Sequence, residues 1–385
     1  MQQAEQIALS ERMLHFKATG TQTMAETTFA NPVSIYTDHA YFERERELFF
    51  RQMPLFMGLS NRIPKAGDYF TNNFTGQPIL VMRGENGEVN AFLNVCRHRG
   101  TRLMEDECGA GKRRFSCPYH GWTFDTAGNL VNIPQEEKFG AVNKAELSLT
   151  RLPVAEKYGM IFVRPVPGAP IDIDRLLGGL APEFAAYGLD NYHHHRSVTV
   201  KHDFNWKIVQ DTFLEIYHLP VLHRTTVNPI IDSSLYVFDP YDLNLRFAIP
   251  RRNFEAVREQ APQDRKFMPH LAVVYLLFPN TTFIWQGGHA EAWSAYPDKD
   301  NIDKTVIEFS QFTPQAATTD SARRFYDKNF DLAIATVEKE DFPMSELLNA
   351  GFFTGAQKEV IYGRNEPALQ YYHQTLRRAM KGLNY

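Results

Sequence analysis

The sequence predicts an α+β protein of two domains, a small all-β module and a larger sheet covered by helices. Three observations predict it. The chain has 385 residues, too many for one domain at about 150 residues each. From Leu55 to about Arg164, short apolar runs alternate with turn signals such as Glu85-Asn86-Gly87 and Thr126-Ala127-Gly128-Asn129. A Pro/Gly-rich connector, Pro165-Val166-Pro167-Gly168-Ala169-Pro170, then precedes a stretch where helical and strand patterns mix. The expected boundaries are 55–165 for the β module, with 1–54 and 166–385 forming the second domain.

Taken in order, residues 35–52 read as a charged amphipathic helix with Asp38 as its N-cap. Past the connector, a helix is expected near 203–219 and several strands between about 234 and 313. The runs 271–278, 281–286 and 305–312 read as successive antiparallel strands. Helices are expected over 321–342 and 356–382. No internal repeat or low-complexity tract is visible.

Composition excludes several classes. Apolar residues make up 43% and charged residues 22%, a globular balance that excludes disordered, collagenous and coiled-coil chains. The net charge of −4 gives no electrostatic case for nucleic acid or an anionic membrane. The longest apolar run, Leu271 to Phe278, is far short of the roughly 18 residues that span a bilayer. The N-terminus mixes charges into its apolar residues, and the expected setting is soluble and cytoplasmic. Three cysteines cannot make a disulfide framework in so long a chain.

Two of those cysteines sit in matching loops, Cys96-Arg97-His98-Arg99-Gly100 and Cys117-Pro118-Tyr119-His120-Gly121-Trp122. Each loop offers one thiolate and one imidazole before a glycine. Thiolates and imidazoles suit zinc and iron–sulfur centres. The C-x-H spacing is tight for one tetrahedral ion. A two-iron cluster removes the difficulty, since one iron takes both cysteines and the other both histidines, which is Rieske [2Fe–2S] ligation. Cys108, between the loops, reads as a small core filler.

A second constellation runs from Asn205 to His223. Trp206, Val209, Phe213 and Ile216 step as a helical core stripe, while Asp211, Glu215 and His218 line another face. Pro220 ends the regular helix, and His223 returns near His218. Two such imidazoles and one carboxylate form a facial triad that suits Fe(II) and leaves positions for O2. In the helix 321–342, Asp341 follows the apolar stripe Tyr326, Phe330, Ile334, Val337 in phase; Glu338 and Glu340 lie about 80° off it. A buried acid needs a partner, and a metal is a good one. The run His193-His194-His195 reads instead as an exposed structural segment before a strand.

These motifs resemble the large subunits of the ring-hydroxylating Rieske non-haem iron oxygenases. The resemblance implies an all-β Rieske domain and a helix-grip (START-like) catalytic domain with a large antiparallel sheet. It implies Cys96, His98, Cys117 and His120 as cluster ligands and His218, His223 and Asp341 as ligands of a mononuclear Fe(II). It implies a head-to-tail homotrimer, with or without β subunits. An acid three residues before the first iron histidine bridges the two metal centres in that family. Glu215 holds the place here, one methylene longer than the family's usual Asp, and Asp211 is an accessory candidate. The implied activity is terminal oxygenation of a small organic substrate, an aromatic acid or a quaternary amine. Electrons come from NAD(P)H through a separate reductase, directly or through a ferredoxin, because the chain carries no dinucleotide-binding glycine motif. Phe213, Phe238, Tyr275, Phe283, Trp285 and Trp293 are the expected pocket walls. The competing readings are a Rieske electron-transfer protein without oxygenase activity and a structural zinc protein.

High-potential Rieske proteins pair an extra cysteine from each loop in a disulfide and have a hydroxyl donor to the cluster. Thr101, Tyr119 and Trp122 stand at those places here. The cluster is therefore expected toward the lower end of the Rieske range, nearer about −150 mV than +300 mV. A redox titration with a strongly positive midpoint would contradict this.

Overall fold

The structure is a computed structural model that describes residues 1–382. It divides into two compact units, Arg46–Ile173 and Met1–Glu45 with Asp174–Tyr385.

The first unit is built from three small antiparallel sheets. One runs in the order Val89–Leu93, Ile79–Arg83, Tyr69–Asn72, Cys108–Gly109. The second is Arg114–Ser116, Thr123–Asp125, Leu130–Asn132, and the third Val154–Lys157, Met160–Val163, Leu55–Leu59. Tyr69, Leu80, Met82, Phe92, Phe115, Trp122 and Phe124 form one buried cluster with Cys96 and Cys117. The turn at 125–129 is tied by Asp125, whose Oδ1 accepts from the Ala127 and Asn129 N–H groups. Gly128 is required there: its φ is 82°, and a Cβ would meet the Phe92 ring at 2.4 Å. Cys108 is not a core filler. It is exposed, on the short strand Cys108–Gly109 at the edge of its sheet.

The stretch 35–52 is broken into Ser34–Thr37, His39–Glu45 and a wide π-helical turn, Arg46–Gln52. Asp38 does act as a cap, accepting from the Tyr41 N–H at 2.8 Å.

The second unit holds a seven-stranded antiparallel sheet. Its order is His193–His202, Thr305–Thr313, Ala290–Pro297, Thr281–Trp285, Leu271–Leu277, Asn244–Pro250, Val237–Tyr241. Thr305–Thr313 is thus not the neighbour of Thr281–Trp285; Ala290–Pro297 lies between them. The three histidines fall inside the first strand and not before it. His195 bonds Asp327 at 2.9 Å and His194 bonds Ser197 at 2.7 Å. The C-terminal stretch is not one helix: Glu359–Tyr362 pairs with Phe29–Pro32, and the helix is Pro367–Met380. Among the described residues no helix is long and apolar enough to cross a membrane.

The helix Lys207–Phe213 is anchored at its head by Asn205-Trp206-Lys207. Asn205 accepts from the Lys207 N–H at 3.2 Å and donates to the carbonyls of Tyr36 and Ile302. Lys207 Nζ pairs with Glu45 at 2.7 Å, both side chains fully buried, and Trp206 Nε1 donates to the same oxygen. Burial raises the Glu45 carboxyl and lowers the Lys207 amine, and each partner's charge opposes the other's shift. Lys207→Met alone should cost about 3–5 kcal/mol by stranding a buried carboxylate, and adding Glu45→Leu should recover most of it. Urea unfolding of both variants checks this; a single variant within about 1 kcal/mol of the parent would contradict it.

Candidate metal centre

The helix carrying Asp211 stops at Phe213, earlier than the apolar stepping suggests. Glu215 is the reason. Its carboxylate accepts from the backbone N–H groups of Tyr217 and His218. In a continued helix those groups would serve the carbonyls of residues 213 and 214. A run of turns follows, with the Val221 and Leu222 N–H groups donating to the His218 carbonyl and those of Thr226 and Asn228 to the His223 carbonyl. This coiled path brings the rings of His218 and His223 to 5.0 Å between centroids.

The carboxylate side comes from the long helical path past residue 320. It is regular over Asp320–Thr336, widens to a π-helical turn over Val337–Asp341 and resumes as Phe342–Phe353. Phe342 N–H reaches five residues back, to the Val337 carbonyl. Pro343 explains the break: it has no N–H to give the Lys339 carbonyl, and its ring crowds that carbonyl. The wide turn sets two adjacent acids around one imidazole. Asp341 Oδ1 lies 3.0 Å from His223 Nε2, while Glu340 Oε2 lies 2.5 Å from His223 Nδ1 and accepts from Thr226 at 2.8 Å. Asp341 Oδ1 is also 3.5 Å from His218 Nε2, and Glu215 holds His218 Nδ1. Each histidine thus has an acid behind Nδ1 and turns Nε2 toward Asp341. One ligand atom from each of His218, His223 and Asp341 lies within 4.8 Å of the others, a spacing that can hold a metal ion.

His223 and Asp341 are each 4% exposed at the side chain. Burial disfavours charge on His223, but the Asp341 and Glu340 carboxylates outweigh it and raise the imidazole above its ordinary value. Glu340 falls outside the expected site residues, since it lies off the apolar stripe. The signal in the sequence is Pro343, which marks a helix that cannot keep its phase.

The structure places Asp211 elsewhere. Tyr36 OH donates to it at 2.6 Å and His373 Nε2 bonds it at 2.6 Å, in a buried group with Tyr362. Because Glu215 and His218 are off the helix, they do not share its face.

The triad lines a cavity of about 270 Å³. Of the expected walls, Phe213 and Trp293 line it, whereas Phe238, Tyr275, Phe283 and Trp285 do not. Phe238 lies on the edge strand Val237–Tyr241, where it packs on Tyr371; strand alternation explains the other three. Val274 and Ile284 face the cavity, so Tyr275, Phe283 and Trp285 point to the opposite face, where Phe184 and Tyr187 pack on them.

In the β unit, the two Cys-His loops have the same design. The Gly100 N–H donates to the Cys96 carbonyl and the Gly121 N–H to the Cys117 carbonyl, each at 2.9 Å, and both glycines have positive φ. Cys96 and Cys117 are both buried, in the same cluster. The His98 and His120 rings lie 4.6 Å apart, and Trp122 stacks on His98 at 4.8 Å.

A family model described as the Rieske [2Fe-2S] domain matches residues 54–153, and one described as the ring hydroxylating alpha subunit (catalytic domain) matches residues 189–382. The chain belongs to the ring hydroxylating alpha subunit family. It is 43% identical over 145 residues to the biphenyl 2,3-dioxygenase subunit alpha of Rhodococcus jostii, covering 37% of this chain and 31% of that protein. It is 33% identical over 240 residues to the glycine betaine monooxygenase oxygenase subunit of Chromohalobacter salexigens, covering 62% and 51%. These matches therefore span only a third to a half of the relatives' own lengths. The crystal structure of the quaternary ammonium Rieske monooxygenase CntA with L-carnitine shares the fold, with a TM-score of 0.77 at 20% identity over 91% of this chain and 95% of that one.

Membership implies a Rieske [2Fe–2S] cluster and a mononuclear iron, and the residues present fit both. His98 Nδ1 is buried with no hydrogen-bond partner among the described residues, a costly state for a polar atom that has no metal to serve. Two soft thiolates beside two imidazoles are the Rieske donor set. The His218, His223 and Asp341 donors, with carboxylates behind both rings, match the mononuclear site.

Glu340→Gln removes the anion behind His223 while keeping shape. Ferrous ion affinity at the mononuclear site should fall about 10- to 100-fold, with the cluster spectrum unchanged. Equilibrium dialysis checks this, and unaltered affinity would contradict it.

Proposed function

We propose that the protein is the terminal oxygenase component of a multi-protein system, working on a small organic substrate such as an aromatic acid or a quaternary amine. The single observation that carries the reading is the convergence of His218, His223 and Asp341 on one cavity in a chain that also carries two matching Cys-His loops. Cys96, His98, Cys117 and His120 would hold the cluster, and His218, His223 and Asp341 the iron. Together these groups supply one-electron relay and O2 activation for hydroxylation, cis-dihydroxylation or dealkylation.

The chain's own side chains do the rest. Glu215 and Glu340 fix the tautomer and the aim of the two imidazoles, so that both Nε2 atoms face inward. Phe213 and Trp293 give the cavity an aromatic wall that suits a ring by stacking or an alkylammonium by cation–π attraction. NAD(P)H supplies electrons through a separate reductase, directly or by way of a ferredoxin. The proposed assembly is a cytoplasmic homotrimer, with or without β subunits. In it Glu215 bridges His218 to His120 of a neighbouring subunit. Its oxygens already take three hydrogen bonds, and a carboxylate has about four acceptor positions, so one more N–H fits.

NADH-dependent O2 uptake with a surrogate reductase, screened over aromatic acids and quaternary amines, tests the function. Substrate-stimulated uptake with an oxygenated product is the expected result; no stimulation from an iron-replete preparation would count against it. Glu215→Gln should retain both metal groups but lower turnover about 10- to 100-fold. Undiminished electron transfer from cluster to iron in that variant would refute the bridge.

A further inference from the structure

The same cavity is lined by a polar group that the metal site does not use: Arg251, Gln286, His289 and Glu291. Arg251, Gln286 and His289 lie at one end of the floor, and Glu291 lies one step further in, opposite Ile284. Arg251 follows the strand Asn244–Pro250, and its N–H donates to the His270 carbonyl just before Leu271–Leu277. Gln286 and His289 flank a two-glycine turn, with the Gln286 N–H donating to the His289 carbonyl at 2.9 Å. Trp293 lies four residues further along its strand, about 13 Å at the usual rise. The floor beside them is made by Ile249, Ala272, Val274 and Ile284, with the occupied carboxylate of Glu291 next to Ile284.

Within the polar group the charges are not equivalent. Glu291 is buried, and both of its oxygens are occupied: His289 Nε2 bonds Oε1 at 2.8 Å and Trp293 Nε1 donates to Oε2 at 3.3 Å. It serves to fix Trp293 and His289. Arg251 is different. Its Nη2 donates to the Gln286 carbonyl at 2.9 Å and to Gln286 Oε1 at 3.2 Å, and its Nε donates to the Leu271 carbonyl at 3.4 Å. Among the described residues its Nη1 has no protein partner, and no carboxylate is within ion-pair distance of it. Arg246, on the strand before it, shows what full compensation looks like here, with Glu5, Glu183 and Asp239 all at 2.6 to 2.8 Å. Burial pushes the Arg251 guanidinium below its usual value, and Glu291 offsets this only in part. A positioned, half-desolvated guanidinium with donors to spare is a receptor for a planar anion.

We propose that Arg251 is a carboxylate subsite, and that the substrate is a small organic acid held end-on. Its anionic end docks on the guanidinium, its body lies over Val274 and Ile284, and its reacting end reaches Phe213, Trp293 and the metal ligands. The inference rests on the reading of this cavity as the substrate pocket. It accounts for a guanidinium with a spare donor at one end of the floor, and it narrows the substrate class to carboxylates, whether the body is an aromatic ring or a quaternary ammonium.

Titration calorimetry on the purified, iron-replete chain tests it with two probe pairs, benzoate against benzamide and glycine betaine against choline. In at least one pair the acid should bind ten or more times tighter than its carboxylate-free partner, and that pair identifies the body. Arg251→Gln should bring the ratio close to one, and Arg251→Lys should keep part of it, as a point charge without the fork. The subsite is refuted if neither acid outbinds its partner, absence of detectable binding included, or if the preference survives in Arg251→Gln. Iron and sulfide assays on the same preparations separate this from the oxygenase reading, which fails if the metals are missing whatever the probes do.

Discussion

A buried carboxylate between two imidazoles is the constraint on which the second unit depends. Asp341 is almost wholly removed from solvent, and its oxygen faces Nε2 of both His218 and His223. Such a charge is expensive unless a cation meets it. Acids stand on the far side of both rings, so the group carries more negative charge than two neutral imidazoles can balance. A divalent ion coordinated at the inward-facing atoms resolves the imbalance, and the surrounding hydrogen bonds fix the geometry in which it is received.

Two departures from regular helix build that geometry. Glu215 diverts two backbone N–H groups and ends the first helix, which lets the chain coil through His218 and His223. Pro343 withholds one N–H and forces a π-helical turn, which sets Glu340 and Asp341 on either side of His223. The buried Lys207–Glu45 pair and the Asn205 bonds hold the head of the first helix in place. Local substitution and loss of backbone hydrogen bonds thus do the positioning, while the antiparallel sheet supplies the floor of the cavity.

Much of this is legible in the residues. The Cys-His loops can be read because their spacing is short and repeated, and His218 and His223 because Pro220 marks the return of the chain. Asp341 can be read because an acid in phase with Tyr326, Phe330 and Val337 faces the core, where its charge needs a cation. Other features are hidden for physical reasons. The apolar steps from Trp206 to Ile216 continue past the true helix end, since periodicity does not register a side chain competing for backbone donors. The stepping therefore puts Asp211 on the face of Glu215, whereas it belongs to a buried group with Tyr36 and His373. The aromatic residues of the sheet are easily given to the wrong face, because strand alternation fixes neighbours but not which face is the pocket. The strand Ala290–Pro297 does not stand out as a separate element, so the pattern alone misorders the sheet near the cavity.

The most direct measurement is a count of iron and acid-labile sulfide per chain in anaerobically prepared protein, compared with the Asp341→Ala variant. The parent is expected to hold about three iron and two sulfide, and the variant about two of each with an unchanged Rieske electron paramagnetic resonance signal. A parent with only the cluster irons, or a variant that keeps the third iron, would contradict the account.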